Sequence, residues 1–200
     1  MAKPEVSGVE RLNSLARPAI FAANHQSHLD TPLILAALPA RWRYRIAPAM
    51  YKEYFAAHFQ PHRFPPRTRL SISAQYYLTS LFFNAFPVPQ QEAGVPDVLR
   101  YAGDAGDLVS DGWSILIYPE GERRPSHQMG EFRAGVGWLA SRLKVPVVPV
   151  HLEGVDQVMP RGKVVPRFGA TQVRFGQPVW LDGGDPGTLA HRLEQTVHAL

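Results

Sequence analysis

The amino-acid sequence predicts an α/β fold, in which a single domain is built on a mixed, largely parallel sheet flanked by helices. Short apolar runs rich in valine, isoleucine and phenylalanine are typical of buried strands, and stretches with helical periodicity lie between them. This alternation favours parallel strands joined by helical crossovers. The 19 prolines and 16 glycines are spread along the chain, which favours many short elements. With 200 residues, 45% of them hydrophobic, the chain is long enough to bury one sizeable core.

Each predicted element follows from its own stretch of sequence. The strands are the apolar runs Pro18–Ala23, Tyr44–Pro48, Ala85–Val88, Ser114–Tyr118, Val147–Leu152 and Gln172–Phe175. The helical segments are Pro32–Leu38, Tyr51–Phe59, Leu70–Phe83, Pro96–Ser110, Gly135–Leu143 and Pro186–Ala199. Thr31 suits the N-cap of the first helix, and Pro32 and Pro186 suit first helical positions. The segment Leu70–Phe83 is apolar on more than one side, so we interpret it as a core helix rather than as an interfacial or lipid-binding one.

The charge balance and the absence of cysteine narrow the classes of function. The chain carries 21 Lys and Arg against 17 Asp and Glu, so its formal net charge is +4. This excess suits phosphate-bearing ligands or an anionic surface, and it is too small to require nucleic acid. Because there is no cysteine, a disulfide framework, a thiol nucleophile and a cysteine-ligated metal site are excluded.

The arginines form two groups in the sequence. Arg41, Arg43 and Arg45 alternate on an apparent strand, which would place them on one face. The second group consists of Arg63, Arg67 and Arg69, in a proline-rich stretch beside aromatic residues. We interpret these arginines as a solvated basic face, with a surface for anionic lipid headgroups as the alternative.

The sequence predicts neither a membrane span nor a signal peptide. Its best apolar run, Pro32–Ala40, has nine residues, whereas a span needs roughly 18 or more. The first residues lack the apolar stretch of a signal peptide. These observations predict a cytoplasmic protein whose contact with a membrane would be peripheral.

Two predicted strands run directly into polar loops, where active sites of α/β folds gather. In the first loop, His25 can act as a general base and Asp30 can orient it. A spacing of five residues brings the two together only if residues 26–30 form a turn. Two alternatives are a capped loop with structural histidines and a metal site formed by His25, His28 and Asp30. The chain has neither a Gly-x-Ser-x-Gly elbow nor a cysteine, so the base would activate a hydroxyl of the substrate in a direct transfer.

The second loop, residues 119–125, combines features of an anion site with those of a charged turn. Gly121 allows a close approach of the backbone to a ligand, and Arg123 and Arg124 suit a phosphate. Glu120 and Glu122 do not fit an anion site unless they bond substrate hydroxyls or orient the arginines. A plain charged turn is the alternative.

Together the two loops resemble the glycerolipid acyltransferase family, of the lysophosphatidic acid acyltransferase type. The segment Asn24–Asp30, read as NHQSHLD, is similar to that family's Asn-His-x-Ser-x-x-Asp motif. Tyr118–Arg123, read as YPEGER, resembles Phe-Pro-Glu-Gly-Thr-Arg, about 95 residues further on. Phe132–Gly135 is similar to the Phe-Lys-x-Gly that follows, and Val145–Val150 to the apolar fourth motif. The resemblance covers residues 18–180.

The resemblance implies a glycerolipid acyltransferase-like fold and an O-acyltransferase. An acyl group would move from acyl-CoA or acyl-carrier protein to a hydroxyl of a glycerophospholipid or lysophospholipid, with His25 as general base and Asp30 orienting it. The acceptor would be bound by Glu120, Gly121, Arg123 and Arg133, with Arg123 nearest its phosphate. The acyl donor is a co-substrate, and neither a cofactor nor a metal is implied. Residues 1–17 would be a lead-in and residues 18–200 the acyltransferase domain, either alone at the inner face of the membrane or cut from a larger chain.

The sequence departs from the family at two places that bear on the acceptor. The family's second motif ends in an arginine for the acceptor phosphate, whereas the corresponding segment here ends in Gln90. Glu122 replaces the usual threonine. Either Arg123, Arg124 or Arg133 compensates, or the acceptor has a different headgroup. Alternative functions are a catalytically silent domain that binds lipid or acyl-CoA and a metal-dependent hydrolase.

Overall fold

A seven-stranded sheet with the order β1-β7-β6-β2-β5-β3-β4 forms the centre of the computed structural model. The structure describes residues 3–16, 18–88, 95–125, 128–163 and 165–200. The strands are β1 (Glu5–Ser7), β2 (Ile20–Ala23), β3 (Ile46–Tyr51), β4 (Phe86–Val88), β5 (Ser114–Ile117), β6 (Val147–Glu153) and β7 (Gln172–Phe175). Neighbouring strands are parallel except β6 and β7, which are antiparallel. The predicted mixed, largely parallel sheet is confirmed.

Helices connect these strands. They are α1 (Asp30–Ala37), α2 (Ala40–Arg43), α3 (Ala56–Phe59), α4 (Pro66–Phe83), α5 (Val95–Ser110), α6 (Gly135–Leu143), α7 (Val155–Val158) and α8 (Pro186–His198). Short 3₁₀ helices cover Val9–Leu12, Lys52–Phe55 and Pro61–Arg63. Pro186 stands at the start of α8 as predicted, with the Asp185 side chain accepting from the Thr188 N–H. The first helix begins at Asp30, so Thr31 lies inside α1 instead of capping it.

The core lies on both faces of the sheet, because its central strands are buried on both sides. In β2, Ile20 and Ala22 face a cluster that includes residues of α5, α6 and α8. Phe21 and Ala23 face the opposite cluster, which includes α1 and the buried Trp42 of α2. This arrangement explains why β2 and β5 are continuous apolar runs in the sequence.

Two further expectations from the sequence are wrong, besides the positions of Thr31 and Pro32 at the start of α1. Arg41 and Arg43 lie in α2 and Arg45 lies in the turn after it, so the three do not alternate on a strand. The helix Leu70–Phe83 is part of α4, and none of the eighteen residues of α4, all of them described, is buried. Core packing is therefore not the role of this helix.

The first residues of the chain take part in the sheet. The strand β1, within the segment interpreted as a lead-in, pairs in parallel with β7 at one edge. At the other edge lies β4, paired with β3. Among the described residues, no helix is long and apolar enough to cross a membrane.

The sheet order determines where the two polar loops lie. The strand β2 is hydrogen-bonded in parallel to β5 on one side and to β6 on the other. The loop after β2 therefore leaves the sheet between the ends of β5 and β6. This is the edge at which parallel α/β folds place their sites.

Candidate active site

The predicted pairing of His25 with Asp30 is present. The His25 Nδ1 lies 2.7 Å from the Asp30 Oδ2, and the Asp30 N–H donates to the Ser27 carbonyl at 3.2 Å, which closes the turn that the pairing requires. The same Oδ2 accepts the backbone N–H groups of Gln26, at 2.6 Å, and Ser27, at 2.9 Å. Asp30 is fully buried, whereas the His25 side chain is 21% exposed. The carboxylate thus fixes both the loop and the imidazole, with Nε2 left free of this bond.

Two amide side chains tie the first loop to the end of β6. Asn24 exchanges two hydrogen bonds with Leu152: its Nδ2 donates to the carbonyl at 2.9 Å, and its Oδ1 accepts the backbone N–H at 2.6 Å. Gln26 donates to the same carbonyl and accepts the Val155 N–H at 3.0 Å. Both residues belong to the NHQSHLD motif, but the sequence does not predict their role, because their partners lie 128 and 129 residues away.

Tyr118, which lies between β5 and the second loop, packs against the imidazole of His25. The two rings are stacked with centroids 4.1 Å apart and planes 21° from parallel. The Tyr118 hydroxyl is 2.7 Å from the Thr31 Oγ1. Burial, and then the negative charge of Asp30, raise the pKa of Tyr118 well above its usual value. The Tyr118 hydroxyl therefore stays protonated, and the stacked Tyr118 ring restricts the orientation of the imidazole.

Glu120 joins the two loops through its carboxylate. Its Oε1 accepts the His25 N–H at 2.7 Å and its Oε2 accepts the Gly130 N–H at 2.7 Å. The side chain is buried, and this burial raises the pKa of Glu120, although the two N–H donors partly offset the effect. A second link is the Arg124 N–H, which donates to the His25 carbonyl at 2.8 Å. Both oxygens of Glu120 thus already have backbone partners.

Gly121 and Arg133 lie against each other. Gly121 has φ +78°, and a Cβ at this position would stand 2.5 Å from the guanidinium carbon of Arg133. The backbone here is in the left-handed region that favours glycine. Any larger residue at this position would displace Arg133 from the second loop.

Arg123 and Arg124 lie in different surroundings. The Arg124 guanidinium pairs with the Glu122 carboxylate at 2.6 Å, and both side chains are exposed. Arg123 is half-buried close to His28. Burial lowers the pKa of His28, and the positive charge of Arg123 lowers it further. Arg123 therefore adds to the positive potential beside His25.

The two loops open into a cavity of about 840 Å³. Its lining includes residues of the two loops and two further arginines, namely His25, Ser27, His28, Gly121, Glu122, Arg123, Arg133 and Arg161. The rest is lined mainly by apolar side chains of β3, α4 and α6 and their neighbours, among them Pro48, Met50, Phe55, Leu78, Phe83 and Trp138. The cavity thus places mainly apolar side chains beside the His25–Asp30 pair.

The structure places the predicted site residues as follows. His25, Gly121, Arg123 and Arg133 line the cavity, while Asp30 and Glu120 lie behind it in contact with His25. Arg161 was missed, because only the path of the chain after α7 brings it to the cavity. Gln90 lies outside the residues that the structure describes. Among the residues described, no three His, Asp or Glu side chains are grouped as metal ligands.

Curated proteins of similar sequence include several acyltransferases. A chloroplastic 1-acyl-sn-glycerol-3-phosphate acyltransferase of Brassica napus is 24% identical over 185 residues, which are 92% of this chain and 47% of that protein. The taffazin of Dictyostelium discoideum is 26% identical over 193 residues, with 88% of this chain and 60% of that protein covered. The chain thus spans about half the length of such relatives.

A solved structure and a family model complete the comparison. The crystal structure of the 1-acyl-sn-glycerophosphate (LPA) acyltransferase PlsC of Thermotoga maritima matches with a TM-score of 0.69 at 22% identity, over 99% of this chain and 70% of that one. This likeness shows the fold. The sequence model described as Acyltransferase matches residues 3–153, which include both polar loops. The chain therefore belongs to the acyltransferase family, and within it to the glycerolipid acyltransferases.

Proposed function

We propose that this chain transfers a fatty acyl group from acyl-CoA or acyl-carrier protein to a hydroxyl of a lysophospholipid or glycerophospholipid. The observation that carries the proposal is the His25–Asp30 pair beside a cavity whose lining is mainly apolar. The apolar part of this lining suits an acyl chain, and its polar side chains suit a headgroup. The curated relatives named as 1-acyl-sn-glycerol-3-phosphate acyltransferases support the same acceptor class.

The proposed reaction is a direct transfer with His25 as general base. Because the carboxylate of Asp30 accepts from Nδ1, the lone pair of the imidazole is at Nε2. Nε2 takes the proton of the acceptor hydroxyl, and the hydroxyl oxygen attacks the thioester carbonyl. When the tetrahedral intermediate collapses, the carbon–sulfur bond breaks and the leaving thiolate takes the proton back from Nε2. Asp30 stabilises the imidazolium formed in between.

Three backbone N–H groups of the first loop already have partners within the protein, so they are not free to stabilise the oxyanion. The N–H groups of His25, Gln26 and Ser27 all donate to the carboxylates of Glu120 or Asp30. These amides hold the base in position instead.

The acceptor phosphate would bind to arginines of the cavity lining. Arg123, Arg133 and Arg161 line the cavity, and guanidinium groups suit phosphate oxygens. Glu122, which replaces the threonine of the family motif, has its charge offset by Arg124 at 2.6 Å. The pairing with Arg124 reduces the repulsion that Glu122 would exert on a phosphate.

The reaction needs no metal and no cofactor in this proposal. Dialysis against EDTA should therefore leave turnover unchanged.

The enzyme would act in the cytoplasm at the inner face of the membrane. The net charge of +4 favours an anionic surface, because cationic side chains are attracted to anionic lipids.

The test is release of free CoA thiol from palmitoyl-CoA by the purified chain, with lysophosphatidate, neutral lysolipids, glycerol 3-phosphate or no acceptor. We expect acceptor-dependent release, with kcat lowered by about 10²–10⁴ in His25→Ala and Asp30→Asn. Circular dichroism spectra of the variants check that they fold. If His25→Ala retained its turnover, His25 would not be the general base. Release of thiol without an acceptor would indicate a thioesterase. Binding of palmitoyl-CoA without any transfer would favour a silent lipid-binding domain.

A further inference from the structure

The helix α4 exposes a stripe of large apolar side chains. Leu70 is 75% exposed, Leu81 76% and Phe82 71%, and Tyr77 and Leu78 are also exposed. Positions 70, 74, 77 and 81 are spaced by four, three and four residues, so they lie on one face of the helix. Single exposed apolar residues are common, whereas a contiguous stripe along a helix about 27 Å long marks an interaction surface.

The opposite face of α4 is the one that the protein covers. Tyr76 stacks on His58 with centroids 4.2 Å apart, and Phe55 packs against the Tyr76 ring at 5.5 Å. The His58 Nδ1 is 3.0 Å from the Ser73 Oγ. One face of the helix is thus anchored to the protein. Leu70, Leu78, Leu81 and Phe82 form its outer face together with Tyr77, which is exposed but also contacts the His58 ring at 5.2 Å.

The charged side chains of α4 and of the segment before it have one sign. Arg63, Arg67 and Arg69 are exposed at the N-terminal end of α4, and Arg67 precedes Leu70 by three residues, on the same side. The sequence from residue 54 to residue 91 contains no aspartate or glutamate. Pairing of this segment with a second copy of itself would therefore supply no carboxylate for these arginines. An anionic lipid surface offers both the negative charge and the apolar medium.

The outer face is continuous with the cavity of the site. Leu78, Thr79 and Phe83 of α4 line the cavity, and Leu78 also belongs to the outer face. A lipid leaving a bilayer in contact with α4 would therefore meet the cavity beside Leu78.

We propose that the outer face of α4 inserts into the surface of an anionic bilayer, with the three arginines at headgroup level, and that lipid substrates enter the cavity from there. The entry of substrates rests on the proposed function, whereas the docking does not. The occupant is a lipid surface; an acidic protein or a second copy of the chain are outcomes that the test separates.

The test compares the wild-type chain with the double variant Leu81→Gln/Phe82→Gln, neither of whose positions lines the cavity. Phe168→Gln is the matched control, because Phe168 is 91% exposed and precedes β7. The strand β7 lies towards the edge of the sheet opposite to β4. Binding is measured by co-sedimentation with phosphatidylcholine vesicles, with and without phosphatidylglycerol. We expect wild-type binding only to the anionic vesicles, weakened about 30-fold in the double variant and unchanged in the control.

A charge variant and an activity assay complete the design. Arg67→Gln/Arg69→Gln should also weaken binding to anionic vesicles, and added salt should reduce the difference from wild type. Thiol release with a vesicle-embedded acceptor should fall in the double variant, while release with short-chain, monomeric substrates stays unchanged.

Several results would overturn the docking proposal. One is that the wild type and the double variant bind vesicles equally well, and another is that the wild type does not bind vesicles at all. A third is a dimer in sedimentation analysis that the double variant abolishes. Binding to an acidic protein in place of vesicles would overturn it as well. If the wild type binds vesicles through α4 but transfers no acyl group to any acceptor, the docking stands and the proposed function fails.

Discussion

At the scale of single residues, the site depends on carboxylates that accept more than one hydrogen bond. The sequence predicts that His25 and Asp30 meet if residues 26–30 turn, and the turn is present. It does not predict that Asp30 also accepts two backbone N–H groups, because a motif specifies residue types and not their partners. Arg161 carries no local signal, since its place beside the cavity depends on the path of a distant segment.

Glu120 offers a sharp test at this scale, because the resemblance assigns it to substrate and its contacts are to the backbone. In Glu120→Gln, the amide has a single acceptor oxygen, so the N–H of His25 or of Gly130 would face an N–H₂ group. We expect the free energy of unfolding to fall by about 1–3 kcal/mol. We also expect kcat to fall while the KM for the acceptor is unchanged, because the variant displaces the base.

Urea unfolding and steady-state kinetics measure both effects of Glu120→Gln. Glu122→Gln is the control, because the Glu122 side chain is exposed and pairs with Arg124. It should leave the free energy of unfolding within about 0.5 kcal/mol of wild type. A raised acceptor KM with unchanged stability in Glu120→Gln would show instead that Glu120 binds substrate.

At the scale of elements, strands are predicted from the sequence more reliably than the surroundings of helices. The buried runs of β2, β5 and β6 are recognisable because both faces of a central parallel strand are apolar. The strand β1 has three residues with one half-buried side chain, so its sequence carries little signal. The role of α4 was predicted wrongly, because an apolar helix has the same periodicity whether protein or another medium covers its second face.

The contact between α6 and α8 can be tested with glycine substitutions. Gly137 of α6 approaches α8 so closely that a Cβ would lie 2.3 Å from the Pro186 carbonyl oxygen and 3.0 Å from the Leu189 Cβ. We expect Gly137→Ala to lower the free energy of unfolding by about 1–3 kcal/mol, although alanine favours the helix. Urea denaturation measures the change.

Gly103 of α5 is the matched control for Gly137. A Cβ at Gly103 would have no described atom within 4 Å. Gly103→Ala should therefore stabilise the protein by about 0.5–1 kcal/mol through helix propensity alone. Stabilisation by Gly137→Ala as well would show that α6 and α8 are not packed as closely as described.

At the scale of the whole molecule, the sheet order assembles the site. The two polar loops are 95 residues apart in the sequence, as counted from His25 to Glu120, and they meet because β2 pairs with β5. Alternation of strands and helices predicts a sheet but not which strands are neighbours. The pairing of β2 with β6 likewise brings Leu152 to the side chains of Asn24 and Gln26. The resemblance to a family implied the joint site, and the spacing of residues did not.

The stability of the whole molecule should fall in mild acid because of two histidines. Burial lowers the pKa of His28 and of His151 below the ordinary value of 6.5, and the positive charges of Arg123 and Arg174, respectively, lower them further. The folded protein therefore holds both imidazoles neutral at a pH at which the unfolded chain already binds protons. The free energy of unfolding should decrease as the pH falls through 6.5, and the loss is complete below the two folded pKa values.

The raised pKa of Glu120 has the opposite effect on the free energy of unfolding. As the pH falls, the carboxylate of Glu120 binds a proton at a higher pH in the folded protein than in the unfolded chain, which stabilises the fold. A comparison of variants separates the two effects. Urea unfolding of wild type and of His28→Gln/His151→Gln, from about pH 8 to about pH 5 at constant ionic strength, should give a flatter profile for the variant. His62→Gln, at an exposed histidine, should keep the wild-type slope. Parallel profiles for wild type and the double variant would contradict the assignment of the acid sensitivity to His28 and His151.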